Sequence, residues 1–151
     1  MPLNNCTEPT DDLTADVSED TPKPLDVVCF GLLRRDRVAT VEQYPGADSG
    51  APILSLIDLV GADAAIASVA LERLGCRVGL VSNDVGNDPE GRALLDRFKG
   101  TDVVTTASLL DGVSTPFGNL IVVDREATRT WFAFLSNSVE SLLAADLSLV
   151  R

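Results

Sequence analysis

The first sustained apolar pattern in the chain is Val27-Val28-Cys29-Phe30, closed by Gly31. A compact run of this kind predicts a central strand of a parallel sheet, because strands covered on both faces read as continuous aliphatic stretches. Residues 36–43 mix polar and apolar positions in partial alternation and predict a more exposed strand. Residues 44–50 have loop chemistry, with Pro45, Gly46 and Gly50, while 53–60 fits helix or strand by pattern. A helix is predicted from Gly61 to Leu74. Its apolar residues, among them Ala64, Ala65, Val69, Leu71 and Leu74, cover more than one stripe, so burial nearly all round is expected. Gly75 stands where a left-handed C′ residue belongs. Val78–Val81 reads as the next strand, which completes a βαβ unit.

Residues 83–88 read as a turn-rich loop leading to a helix over 89–99, with Asp88 as N-cap and Pro89 in the first helical position. That helix offers Ala93, Leu94, Leu95 and Phe98 to a core, and Gly100 stops it. Val103-Val104 is a short extended piece. Residues 118–124 and 129–134 have strong β-propensity and only four residues between them, so an antiparallel hairpin is predicted. Asn137-Ser138-Val139-Glu140 has the form of a capping box before a short helix. Residues 145–150 look like the approach to a further strand, which the chain would leave unfinished.

Composition adjusts this picture in three ways. Apolar residues make up 45% of the 151 and aromatics only 5%, so aliphatic side chains fill the core. The net charge is −11, from 23 acidic and 12 basic residues, which argues against nucleic acid as a partner. Much of that excess lies in residues 1–24, a polar, acidic and proline-bearing stretch expected to be a disordered extension. The ordered domain is expected over 25–151. There is no histidine, and the three cysteines form no CxxC pair. Zinc sites and Ser-His-Asp or Cys-His hydrolase chemistry are therefore not expected. No signal-peptide pattern opens the chain and no apolar run approaches membrane-spanning length, so a soluble, cytoplasmic chain with no membrane partner is the expectation.

Four stretches carry possible chemistry. A carboxylate at Asp36, following the strand that ends in Gly31, can accept charge-assisted hydrogen bonds from two vicinal hydroxyls. Gly61-Ala62 opens the alanine-rich helix, where small residues let a ligand approach backbone N–H donors. Asn83-Asp84-Val85-Gly86-Asn87-Asp88-Pro89 joins a strand to a helix, with Gly86 read as a tight turn. Val113-Ser114-Thr115-Pro116-Phe117-Gly118 leads into the hairpin and on to Asp124 and Arg129-Thr130. The G-x-G-x-x-G of dinucleotide folds is absent at both Gly31 and Gly61.

In this order the four stretches resemble the N-terminal half of the ribokinase-like carbohydrate kinases, the PfkB family, over essentially everything from Leu25 onward. The resemblance implies a Rossmann-like, three-layer α/β fold with a small β-lid and with the C-terminal half missing. It implies a sugar or nucleoside substrate held by Asp36, Gly61, Ala62 and Thr115, with pairing of two copies through the lid. It also implies ATP and Mg2+ as cofactors, bound in this family around a Gly-Ala-Gly-Asp segment of the C-terminal half. No Gly-x-Gly-Asp, Walker loop or other phosphate-cradling glycine run occurs here. Three positions depart from the family pattern: Arg34 where Asn is frequent, Ala62 for the second glycine, and Ile66 for a substrate-binding Asn. The expectation is a carbohydrate kinase part, inactive as this chain, with a non-catalytic sugar-binding or dimerising relative as the alternative.

Overall fold

The computed structural model describes residues 24–150. All but the last residue of the expected acidic extension, and Arg151, lie outside the described residues. The order of elements is β1 (Val27–Phe30), β2 (Arg34–Val41), β3 (Ile53–Gly61), α1 (Asp63–Arg73), β4 (Val78–Val81), β5 (Val85–Gly86), α2 (Pro89–Phe98), β6 (Val104–Thr105), β7 (Leu109–Leu110), β8 (Phe117–Val123), β9 (Thr128–Phe134) and α3 (Ser138–Leu143). This is an α/β fold made of a parallel core sheet and a small second β-region.

The core sheet has the order β1-β4-β6, all parallel. β4, with every residue buried, is its centre, because Val-Gly-Leu-Val offers apolar or minimal side chains to both faces. The sequence pattern placed β1 centrally; it is instead an edge among the described residues, and Phe30 is 58% exposed. Val78 and Leu80 meet Ala65 of α1 and Leu94 and Phe98 of α2 in one hydrophobic cluster with Leu33, Val85 and Val103. On the other face, a side chain at Gly79 would collide with Leu25, which packs there beside Leu149 and Val28.

The α1 helix ends as the sequence predicts. Gly75 takes φ +90°, its N–H reaches the Glu72 carbonyl, and the Cys76 N–H reaches Leu71, the paired bonds of a Schellman motif. The expectation of burial all round fails. Only Ala65 and Ser68 are buried, while Ile66 and Leu74 are 51% and 80% exposed, because the described residues cover one side of the helix alone. α2 matches in its cap, with the Asp88 carboxylate accepting from the Gly91 N–H at 2.7 Å, although Ala93 faces solvent.

The second sheet has the order β3-β2-β8-β9. Residues 53–61 resolve as strand, pairing antiparallel to β2, and the predicted hairpin is β8–β9 with a single 3-10 turn at Asp124–Glu126. The pairing of β2 with β8 is parallel and non-local, from Arg35 opposite Phe117 to Val41 opposite Val123. Two further expectations change. Gly86 is in a short strand paired with β7 rather than in a turn, and its missing side chain is needed because a Cβ would lie 2.6 Å from the Val113 carbonyl. The Asn137 side chain makes no capping bond, and the Ser138 hydroxyl bonds back to the Leu135 carbonyl instead. Residues 145–150 are irregular, with a turn at 148–149, and form no strand.

Candidate functional site

The core and the second sheet meet at the chain crossings around Gly31–Leu33 and Gly61–Ala62. One crossing is pinned by a fully buried amide. Asn83 Oδ1 accepts from the Leu33 N–H at 2.8 Å, and its Nδ2 donates to the Leu33 carbonyl at 3.0 Å. Both backbone groups of the hinge residue are thus satisfied from the end of β4, which fixes where β2 departs from the core.

Because β2 alternates, Arg34 and Asp36 share one face of the second sheet and Arg35 and Arg37 the other. On the first face Asp36 is 5% exposed, although it is ionisable. Its register partner on β8 is Gly118, and Gly61 on β3 is the partner of Arg34. A Cβ at Gly61 would lie 2.2 Å from the Asp36 Cγ, and one at Gly118 would lie 2.4 Å from its Oδ1. The carboxylate therefore occupies a slot that only two glycines leave open. Arg34 completes it, with Nε donating to Oδ1 at 2.7 Å and Nη2 to Oδ2 at 3.4 Å. The same guanidinium lies 5.6 Å from the centre of the Trp131 ring.

These groups line a cleft of about 560 Å3 between the second sheet and the start of α1. Its floor is Phe30, Gly31 and Leu32, its lid side Leu120, Arg129 and Trp131, and its helix side Ala62, Asp63, Ala64 and Ile66. The volume is of the order of small-molecule sites, which run from roughly 300 to 1,000 Å3. Ala62 takes φ 75° and ψ 149°, a conformation suited to glycine, and its carbonyl accepts the Ile66 N–H at 3.0 Å. Asp63 and Ala64, whose N–H groups open α1 without an intrahelical partner, line the cleft.

Three residues marked out in the sequence, Asp36, Gly61 and Ala62, are thus brought together, Gly61 as the wall of the carboxylate slot. Thr115 is elsewhere. It lines a second cleft, of about 490 Å3, with Arg35, Arg37 and Asn119 on the opposite face of the sheet. There its hydroxyl donates to Asp88 Oδ1 at 2.6 Å and its N–H to Asp88 Oδ2 at 2.8 Å. Burial pushes the Asp88 carboxyl up, but the bonds from Thr115 and Gly91 outweigh it and hold the group below its ordinary value. Nearby, hydrogen bonds from Arg35 and then Arg37 depress Asp58 against its slight burial. Arg129 stands in the fourth stretch with possible chemistry, whereas the sequence does not single out Trp131 as a cleft residue. The available signal was the period-two spacing of Arg129, Trp131 and Ala133 on a predicted strand.

Among the described residues no group of three or more His, Cys, Asp or Glu side chains could hold a metal ion. No metal- or nucleotide-binding site is resolved among the described residues, and no step of phosphoryl transfer is assigned to them. No helix among the described residues is long and apolar enough to cross a membrane.

No family signature and no curated protein matches the sequence. Solved structures do match. A fructokinase from Halothermothrix orenii is 29% identical, with a TM-score of 0.61 over 76% of this chain and 39% of its own. A candidate ribokinase from Agrobacterium tumefaciens has a TM-score of 0.67 at 21% identity over 76% and 37%. The nucleoside kinase of Methanocaldococcus jannaschii, a member of the ribokinase family, gives 0.60 at 22% over 76% and 38%. The fold is that of the ribokinase/PfkB-like carbohydrate kinases. The chain spans well under half the length of the structures it matches.

Proposed function

We propose that this chain supplies the sugar-recognising part of a ribokinase-type carbohydrate kinase and binds a sugar or nucleoside in the cleft over Asp36. The observation that carries this reading is the Asp36 slot. A carboxylate offers about four acceptor sites, and Arg34 engages one on each oxygen. The others remain for ligand hydroxyls, in a slot kept open for the carboxylate by the missing side chains of Gly61 and Gly118. The α1 N–H groups at Ala62 supply donors across the cleft. In full-length kinases of this fold ATP and Mg2+ belong to the reaction. No site for them is resolved among the described residues, so the role assigned to this chain is acceptor binding alone.

Calorimetric titration of the chain with a panel of free sugars and nucleosides tests this. Asp36→Asn keeps the side-chain shape and removes the charge, and it is expected to weaken binding by about tenfold or more. Unchanged affinity in that variant would sink the assignment. A second reading, a dimerising module, is favoured by the exposure of Leu56, Phe132 and Phe134 on the second sheet. The two readings are compatible, since Phe132 and Leu56 are on the face turned away from Asp36.

A further inference from the structure

The charges lining the cleft, Arg34 and Arg129 against Asp36 and Asp63, balance in sum but are unevenly placed. Arg34 and Asp36 form a close pair, with side chains 16% and 8% exposed, and together contribute no net charge. Arg34 spends two of the five N–H donors of a guanidinium on that pair, and the rest of the group lies beside the Trp131 ring. Arg129 is two residues from Trp131 on β9, and register places both on the face that carries Asp36. It lines the cleft, is exposed, and has no ion pair among the described residues. The acid opposite, Asp63, is in the first turn of α1, where the helix dipole offsets part of its charge. Ile66, on the same helix side, can neither donate nor accept. The lid side of the cleft is therefore cationic and aromatic, and the helix side offers backbone N–H groups and Asp63.

Resting on the sugar-cleft reading, we infer that the ligand is an anionic polyol, a sugar bearing a carboxylate or phosphate. Its charged group sits between Arg129 and the free edge of Arg34, its ring or carbon chain lies against Trp131, and its hydroxyls point to Asp36 and Asp63. Arginine suits this role because its planar donor fork matches carboxylate and phosphate oxygens.

Trp131 is the only tryptophan in the chain, so its emission reports on this cleft directly. The 151-residue chain is titrated with glucose, gluconate and glucose 6-phosphate at constant ionic strength, with sodium sulfate as the simple-anion control. One of the two acids is expected to bind about tenfold or more tightly than glucose, a difference one good charge-assisted contact supplies. The tighter of the two identifies the charged group. Arg129→Ala should bring the acid-to-glucose ratio close to one, and Arg129→Lys should restore part of it, with circular dichroism confirming that each variant folds. Glucose binding as tightly as both acids, sulfate matching them, or a ratio untouched in Arg129→Ala would each overturn the anionic assignment while leaving the sugar cleft intact. A folded chain whose emission and binding heat respond to none of the three sugars would overturn the sugar-cleft reading as well.

Discussion

Ala62 stores strain at the mouth of the cleft. Its φ of 75° with ψ 149° puts a Cβ where glycine would carry none, and the residue is nearly buried. Strain of this type costs about 1–3 kcal/mol, less a small return from the buried methyl. Ala62→Gly should therefore raise the unfolding free energy by about 1 kcal/mol, read as a higher midpoint in urea at unchanged slope. An unchanged or lower midpoint would show that the turn is already relaxed. Four residues on, Ile66 faces the same space and is 51% exposed, so an amide there displaces no core packing. Ile66→Asn should tighten sugar binding by about tenfold, the value of one added hydrogen bond of 1–1.5 kcal/mol. Calorimetry that shows equal affinities would mean ligand hydroxyls do not reach this side of the cleft. At this scale the sequence showed the departures but not their setting. The resemblance to the family pattern marks Ala62 and Ile66 as departures, while the positive φ and the exposure come from how β3 turns into α1.

Between elements, the Asp88 carboxylate is a junction. It caps α2 through Gly91 and holds the strand entering β8 through both the N–H and the hydroxyl of Thr115. The cap alone was legible, because Asp-Pro before an apolar helix is a local signal. The tie to Thr115, 27 residues away, has no local trace, and a ligand contact for Thr115 rests on the resemblance alone. Likewise the β8–β9 hairpin followed from propensity and a short turn. The parallel pairing of β2 with β8 has no local trace. Removing the junction in Asp88→Ala should cost about 2–3 kcal/mol, combining a lost N-cap with lost charged hydrogen bonds. Its pH dependence has a definite sign. The folded-state pKa lies below the ordinary aspartate value, so the stabilisation is complete above about 4, the unfolded-state range. It fades as pH falls through the lower folded-state value. Urea midpoints of wild type and Asp88→Asn should differ at pH 7 and converge in acid. A gap that persists at low pH would place the effect in packing rather than in the carboxylate.

Across the whole molecule, two sheets of different character meet at the Asn83 hinge. The core sheet was readable because its middle strand is buried on both faces and so is continuously apolar. The second sheet was harder to read, since its strands are half exposed and β3 carries Ile53, Leu54, Leu56 and Ile57 in near succession without clean alternation. Of the exposed apolar groups, Leu56 on β3 and Phe132 and Phe134 on β9 share the face turned away from Asp36, and exposed apolar surface of this kind marks contact surfaces. A second copy is the simplest partner, because each lid presents the same strand-borne patch for an isologous contact. The chain should then sediment as a dimer at micromolar concentration, and Phe132→Asp with Leu56→Asp should yield a folded monomer. Both positions are on the face opposite Asp36, so sugar affinity per chain should survive the change. Loss of sugar binding together with dimerisation would instead mean that the cleft is shaped by the partner. A wild-type chain that sediments as a monomer throughout would remove self-association as the role of the exposed lid surface.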